Sequence, residues 1–143
     1  MKFIVAVTCL LAATTAVRGL DQDAVIAKYM EYLMPNVKPC ADEFHMTEDQ
    51  AKNIQQAADG MDLKQLGCLK GCVMKRMGML TGNNEFHLEP VYTMIESVHT
   101  GNDAEIQDVK KIAEECISSI QGEPDECNIG TKYSDCYIQK LFN

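Results

Sequence analysis

The chain has 143 residues, with 13 Lys and Arg against 21 Asp and Glu, for a formal charge of −8. That is one domain's worth of polypeptide, and its acidic balance argues against nucleic acid, whose phosphates call for clustered Lys and Arg, and against anionic membrane surfaces. The acidic residues are spread along the chain, as expected of a solvated, self-repelling exterior.

Residues 1–19 do not read as part of the domain. Met1-Lys2 supplies a positive start, Phe3 to Ala13 is an apolar run broken only by Thr8, and Val17-Arg18-Gly19 places small or aliphatic side chains where a signal peptidase cuts. A secretory signal removed after Gly19 is expected, with Ala16 the less favoured point. The apolar run is about half the ~20 residues needed to span a bilayer, which disfavours a membrane anchor. The expected mature domain is residues 20–143. Losing Lys2 and Arg18 takes the basic count from 13 to 11 against 21 acidic residues, a formal charge of −10.

Six helical segments and no strand are predicted. The first, Asp21 to Met34, carries Val25, Ile26, Tyr29, Met30 and Leu33 and is expected to stop at Pro35. The second opens with the capping box Thr47-Glu48-Asp49-Gln50 and ends near Gly60; its apolar residues are few, which places it on the outside. The third, from about Asp62 to Met77, carries Leu66, Leu69 and Val73, with Gly67 and Gly71 on one face. Those glycines allow close approach of a helix or a ligand, and plain tight packing is the preferred reading. After the turn Thr81-Gly82-Asn83-Asn84, the fourth has Pro90 in its first turn, a stripe of Val91, Met94, Ile95 and Val98, and Gly101 as its stop. The fifth opens with a second capping box, Asn102 to Glu105, and repeats Ile106, Val109, Ala113, Cys116, Ile117 and Ile120 at helical spacing until Gly122 and Pro124. An acidic loop with Cys127 leads to a sixth segment from about Thr131, offering Tyr133, Cys136, Tyr137 and Leu141.

Without Cys9 of the signal, six cysteines remain: Cys40, Cys68, Cys72, Cys116, Cys127 and Cys136. An even set in a short secreted chain reads as a disulfide framework. Zinc is disfavoured, because there are no closely spaced CxxC pairs and His45, His87 and His99 are not grouped with the cysteines. Six cysteines allow 15 pairings. Cys68 and Cys72 project from successive turns of one helix and do not meet disulfide geometry, so the three pairings containing them drop out and twelve stay open.

About 124 residues in six short helices could build a modest core without bridges. Cross-links would offset the packing that a hollow centre forgoes. Eight methionines after the signal and no tryptophan point the same way, because Met30, Met34, Met74, Met77, Met79 and Met94 fall on or beside inward faces and thioethers adapt to varied apolar shapes.

The spacing Cys40-x27-Cys68-x3-Cys72-x43-Cys116-x10-Cys127-x8-Cys136, with the stretch Cys72 to Leu80, resembles the insect odorant-binding protein family, which includes the pheromone-binding proteins. The resemblance covers the whole mature chain and rests most on the x3 and x8 intervals. It implies bridges Cys40–Cys72, Cys68–Cys127 and Cys116–Cys136, and six helices around an apolar cavity built by the first, third, fourth, fifth and sixth. It places ligand contacts on Met30, Leu33, Val73, Met77, Val91, Met94, Ile95, Ala113, Ile117 and Tyr137, with the Tyr137 or Tyr92 hydroxyl as candidates to orient a ligand oxygen. Only seven residues follow Cys136, too few for the long acid-induced tail of moth pheromone-binding proteins, so Leu141 and Phe142 are expected to close one wall or mouth of the cavity instead.

The implied function is carriage of odorants or pheromones through the fluid bathing olfactory neurons. A small hydrophobic ligand is the partner and a membrane odorant receptor a further candidate, with no cofactor or metal, no nucleic acid, no membrane insertion, and a monomer or weak homodimer. The same fold could instead serve as a carrier or scavenger in saliva, venom, haemolymph or reproductive fluid. An enzyme is disfavoured: there is no GxSxG elbow, no cysteine nucleophile beside a histidine, and no CCxxHxxC-like phospholipase site. A solid bundle that binds proteins is the remaining alternative. The three histidines read as surface residues, and titration of one of them as a pH switch is the sharper reading.

Overall fold

The computed structural model describes residues 20–47, 49–50 and 62–143. Among them are five helices: α1 (Gln22–Glu43), α2 (Leu63–Arg76), α3 (Leu88–Val98), α4 (Asp103–Ser119) and α5 (Glu126–Phe142). The described residues contain no strand, only an isolated bridge between Leu80 and Phe86, and no helix long and apolar enough to cross a membrane. The segment read as a secretory signal lies outside the described residues. So does the predicted second helix beyond its capping box, in which Thr47 Oγ1 accepts from Gln50 N at 3.2 Å and Gln50 Oε1 accepts from Thr47 N at 2.9 Å.

Two helices are longer than expected. α1 does not stop at Pro35; it runs through Pro35 and Pro39 to Glu43. A proline inside a helix costs about 3 kcal/mol in lost bonding and steric conflict. Here the continuing turns bury Val37, Cys40 and Ala41 and tie Cys40 to Cys72, and that tertiary gain overrides the local signal. α5 begins at Glu126 rather than Thr131, because Asp125 accepts the Cys127 amide at 2.8 Å and nucleates the helix earlier. Cys127 therefore sits in a first helical turn and not in a loop. α2 and α4 start where their sequence caps place them: Asp62 accepts from Lys64 N, and Asn102 accepts from Glu105 N at 3.1 Å. The turn closing α3 needs the left-handed backbone of Gly101, at φ 91°.

The apolar residues form two clusters. The larger joins the first turns of α1 to α3, α4 and α5 and takes in Met79 and Leu80. The smaller packs the last turns of α1 (Val37, Cys40, Ala41) on Leu66, Leu69 and Val73 of α2, with Met46. The six cysteines of the described residues are all bridged, as Cys40–Cys72, Cys68–Cys127 and Cys116–Cys136.

The closest pairing is α2 against α5, and it is glycine that permits it. A Cβ at Gly130 would run into the Gly67 carbonyl oxygen and stand 2.7 Å from the Gly71 amide nitrogen, and one at Gly71 would stand 2.8 Å from the Glu126 carbonyl oxygen. The two backbones thus touch directly, beside the Cys68–Cys127 bridge. The glycines serve packing, the plainer of their two sequence readings.

Gly130→Ala should destabilise the protein by about 1–3 kcal/mol through overpacking, although alanine is the better helix former by ~1 kcal/mol; urea unfolding with the disulfides intact measures this. Removing Cys68 and Cys127 together, a bridge spanning 59 residues, should cost more than removing Cys116 and Cys136, which span 20. Loop entropy gives about 4 against about 3 kcal/mol, and equal losses in the two double Cys→Ala variants would contradict it.

Candidate functional site

Where the two clusters meet, the packing leaves a cavity of about 100 Å³. One water needs only about 10–15 Å³ of such space, so a small guest molecule is within its reach. Its wall comes from four helices and one connection: Ile26, Tyr29 and Leu33 of α1; Lys70, Val73 and Met74 of α2; Met77 and Met79 after it; Met94 of α3; and Tyr133, Ser134, Tyr137, Ile138, Leu141 and Phe142 of α5. Nearly all of this surface is carbon and thioether. Ile26, Lys70, Ser134, Ile138 and Phe142 are half-buried and lead from the interior toward solvent, while Tyr29, Val73, Met74, Tyr133 and Tyr137 are buried.

Of the twelve residues expected at a ligand, seven line this space: Leu33, Val73, Met77, Met94, Tyr137, Leu141 and Phe142. Leu141 and Phe142 stand in the wall itself. Met30 packs instead on the smaller cluster. In α1, Ile26, Tyr29 and Leu33 recur three and four residues apart on the cavity stripe, and Met30, about 40° round from Ile26 and about 100° from Tyr29, sits at the edge of that stripe beside the smaller cluster. Val91, Ile95, Ala113 and Ile117 are buried in the larger cluster, and α4 contributes no residue to the described wall. Residues that sequence reasoning did not assign to a ligand are Ile26, Tyr29, Lys70, Met74, Met79, Tyr133, Ser134 and Ile138. Tyr29 and Tyr133 stood on expected inward faces, so periodicity marked them as interior without separating core from cavity wall.

One histidine corrects its sequence reading. His45 and His87 are exposed, but His99 is 5 % exposed and ends a chain of hydrogen bonds that starts in the cavity. Its Nδ1 lies 2.6 Å from Glu105 Oε1, its Nε2 lies 2.7 Å from the Tyr29 hydroxyl, and that hydroxyl lies 2.5 Å from the Tyr137 hydroxyl. A carboxylate only accepts, so Nδ1–H donates to Glu105. In the neutral ring, Nε2 then accepts from Tyr29, and the Tyr29 oxygen accepts from Tyr137. Glu105 is itself held by Asn102, whose Nδ2 donates to Oε2 at 2.8 Å, so the capping box of α4 also orients the imidazole. Tyr92, the other tyrosine considered for a ligand, bonds Glu114 outside the cavity under the Lys110 ammonium, 4.9 Å from its ring.

Burial pushes the Tyr29, Tyr133 and Tyr137 phenols up from the ordinary 10.0, with burial the largest cause for each. All three keep their protons near neutrality. Burial likewise lowers Lys70, against the opposing pull of Asp135. A raised phenol contributes its stability fully below the unfolded value and loses it as pH rises, because the unfolded chain then releases protons that the folded chain retains. Folding stability should therefore fall as pH climbs above about 10, with phenolate absorbance from these three residues appearing only together with unfolding. Urea midpoints and absorbance at pH 9, 10 and 11 check this, and early titration of all five tyrosines without unfolding would refute it.

Comparison with known proteins bears on this geometry. The chain is 28% identical over 137 residues to general odorant-binding protein 28a of Drosophila melanogaster, covering 94% of this chain and 90% of the relative. Its fold is similar to the crystal structure of a pheromone binding protein from the cockroach Leucophaea maderae in complex with the fluorescent reporter ANS, with TM-score 0.63 and 19% identity over 78% of this chain and 93% of that one. It is also similar to the structure of the Drosophila protein, with TM-score 0.59 and 22% identity over 85% of this chain and 95% of that one. The profile of the PBP/GOBP family matches residues 22–140, from the first turn of α1 to the last of α5, and with its three bridges and apolar cavity the chain belongs to that family.

Proposed function

We propose that this chain is a secreted carrier that takes one small hydrophobic molecule, an odorant or pheromone, into the cavity between α1, α2, α3 and α5. It moves that guest unaltered through aqueous extracellular fluid, in particular the fluid bathing olfactory neurons, toward a membrane odorant receptor. The observation that carries this reading is the cavity itself, an interior space walled by aliphatic, thioether and aromatic side chains in a family of odorant-binding proteins. The cockroach relative's complex with the fluorescent reporter ANS supports it. Three disulfides suit an oxidising extracellular medium, and so does the apolar N-terminal run.

The driving force is hydrophobic. Removing ~300 Å² of a guest's apolar surface from water is worth about 7 kcal/mol at 25 cal/mol per Å². Before the entropic costs of association, that corresponds to a dissociation constant on the order of ten micromolar.

A fluorescent reporter with an aromatic apolar body, such as ANS, should bind at one saturable site and be displaced by small volatile lipophiles. Val73→Phe, which fills the cavity from α2, should weaken reporter binding by about 10-fold or more, with helicity retained by circular dichroism. Removing residues 141–143 should weaken it as well, because Leu141 and Phe142 stand in the wall. Unchanged affinity in both variants would place the guest elsewhere, and no reporter binding at all would sink the carrier reading.

A further inference from the structure

Among the described residues, Tyr133 is the buried polar group of the cavity wall that has no partner. It is 5 % exposed, it lines the cavity, and its hydroxyl has no hydrogen-bond partner among the described residues. Buried hydroxyls are nearly always bonded, so an unmet one calls for a role. The ring packs against two others. Phe86 lies 5.3 Å away, tilted by 32°, and Tyr137 lies 5.8 Å away, stacked at 24°. With these contacts and its burial, the hydroxyl has little access to water.

The other phenols in the wall are engaged. With the imidazole neutral, Tyr29 gives its proton to His99 and Tyr137 gives its proton to Tyr29, which leaves Tyr137 only an acceptor lone pair for a guest. Ser134 is half-buried and can be met by solvent. Among the phenols of the cavity wall, Tyr133 alone holds an uncommitted O–H.

Resting on the carrier reading above, we infer that Tyr133 selects the chemistry of the guest, its O–H donating to the single accepting oxygen, carbonyl or hydroxyl, of an otherwise apolar and uncharged molecule. A pure hydrocarbon would bury that hydroxyl unmet. A carboxylate would be drawn instead to Lys70, the cation of the described wall. The guest class is thus a ketone, aldehyde, ester or alcohol on a short apolar skeleton.

The test uses the full mature chain with its disulfides intact and displacement of ANS by a hydrocarbon, ketone, alcohol and carboxylate sharing one skeleton. Tyr133→Phe should lower the ketone-to-hydrocarbon and alcohol-to-hydrocarbon affinity ratios by roughly 5- to 10-fold. Free Y133F should keep the wild-type circular dichroism and unfold at the same or a higher temperature, because the hydroxyl it loses bonds nothing else among the described residues. As a second measurement on the wild-type chain, the infrared carbonyl band of the bound ketone should shift to lower frequency than in an apolar solvent. Unchanged ratios or an unshifted band overturn the inference. So does a carboxylate that binds tightest and loses that advantage in Lys70→Met. Displacement by all four compounds without preference sinks this inference alone, whereas failure of ANS to bind at all removes the carrier reading and this with it.

Discussion

The structure depends on the direct backbone contact between α2 and α5. Gly67 and Gly71 on one helix and Gly130 on the other bring main chain against main chain, closer than any side chain would allow, and the Cys68–Cys127 bridge locks the contact. The Lys75–Glu126 ion pair at 2.7 Å lies at its edge and, being partly exposed, adds little. Once α2 and α5 are this close, their other faces must diverge around whatever stands between them. The cavity opens on that side, between Val73 and Met74 of α2 and Tyr133, Tyr137 and Leu141 of α5. Tight packing in one place and a void in the next belong to a single arrangement.

A void lowers stability, because atoms around it forfeit contacts. Two devices offset that loss. The bridges connect α1 to α2, α2 to α5, and α4 to α5, and by constraining the unfolded chain they raise the stability of the folded one. The second device is the hydrogen-bonded chain from Tyr137 through Tyr29 and His99 to Glu105. It joins α5, α1, the end of α3 and the start of α4, and every buried polar atom in it is met. Low surrounding dielectric makes such a satisfied chain strong and directional, so it ties the walls to one another without filling the space.

The same two devices divide the polar groups of the cavity by role. Tyr29 and Tyr137 are structural members that happen to face the interior, and Tyr133 is left over. A mostly apolar wall gives affinity without discrimination, and one placed donor supplies orientation. Methionine enters at Met74, Met77, Met79 and Met94, where a flexible, polarizable side chain conforms to guests of different outline.

The all-helical class, the family and the positions of three of the described helices were legible from local patterns, because caps such as Asp62 and Asn102, glycine stops and 3.6-residue stripes act within a turn or two of chain. Cysteine spacing carried the bridges through the resemblance. Local rules misplaced the end of α1 and the start of α5: Pro35 reads as a stop until the burial of Val37, Cys40 and Ala41 outweighs it, and Asp125 caps earlier than the apolar stripe suggests. Periodicity marks a side chain as interior and is blind to whether the interior there is filled. Tyr29 faces a void and Ile95 a packed core, although both sit on inward stripes, and His99 reads as a surface residue until α1 and α4 bring Tyr29 and Glu105 to its two nitrogens. The amino-acid sequence alone determined which faces turn inward, since that follows from the chemistry of each helix by itself. Where the inward faces fail to meet, and which hydroxyl is left without a partner there, was decided only by the tertiary structure, because both depend on distances between helices that no single helix encodes.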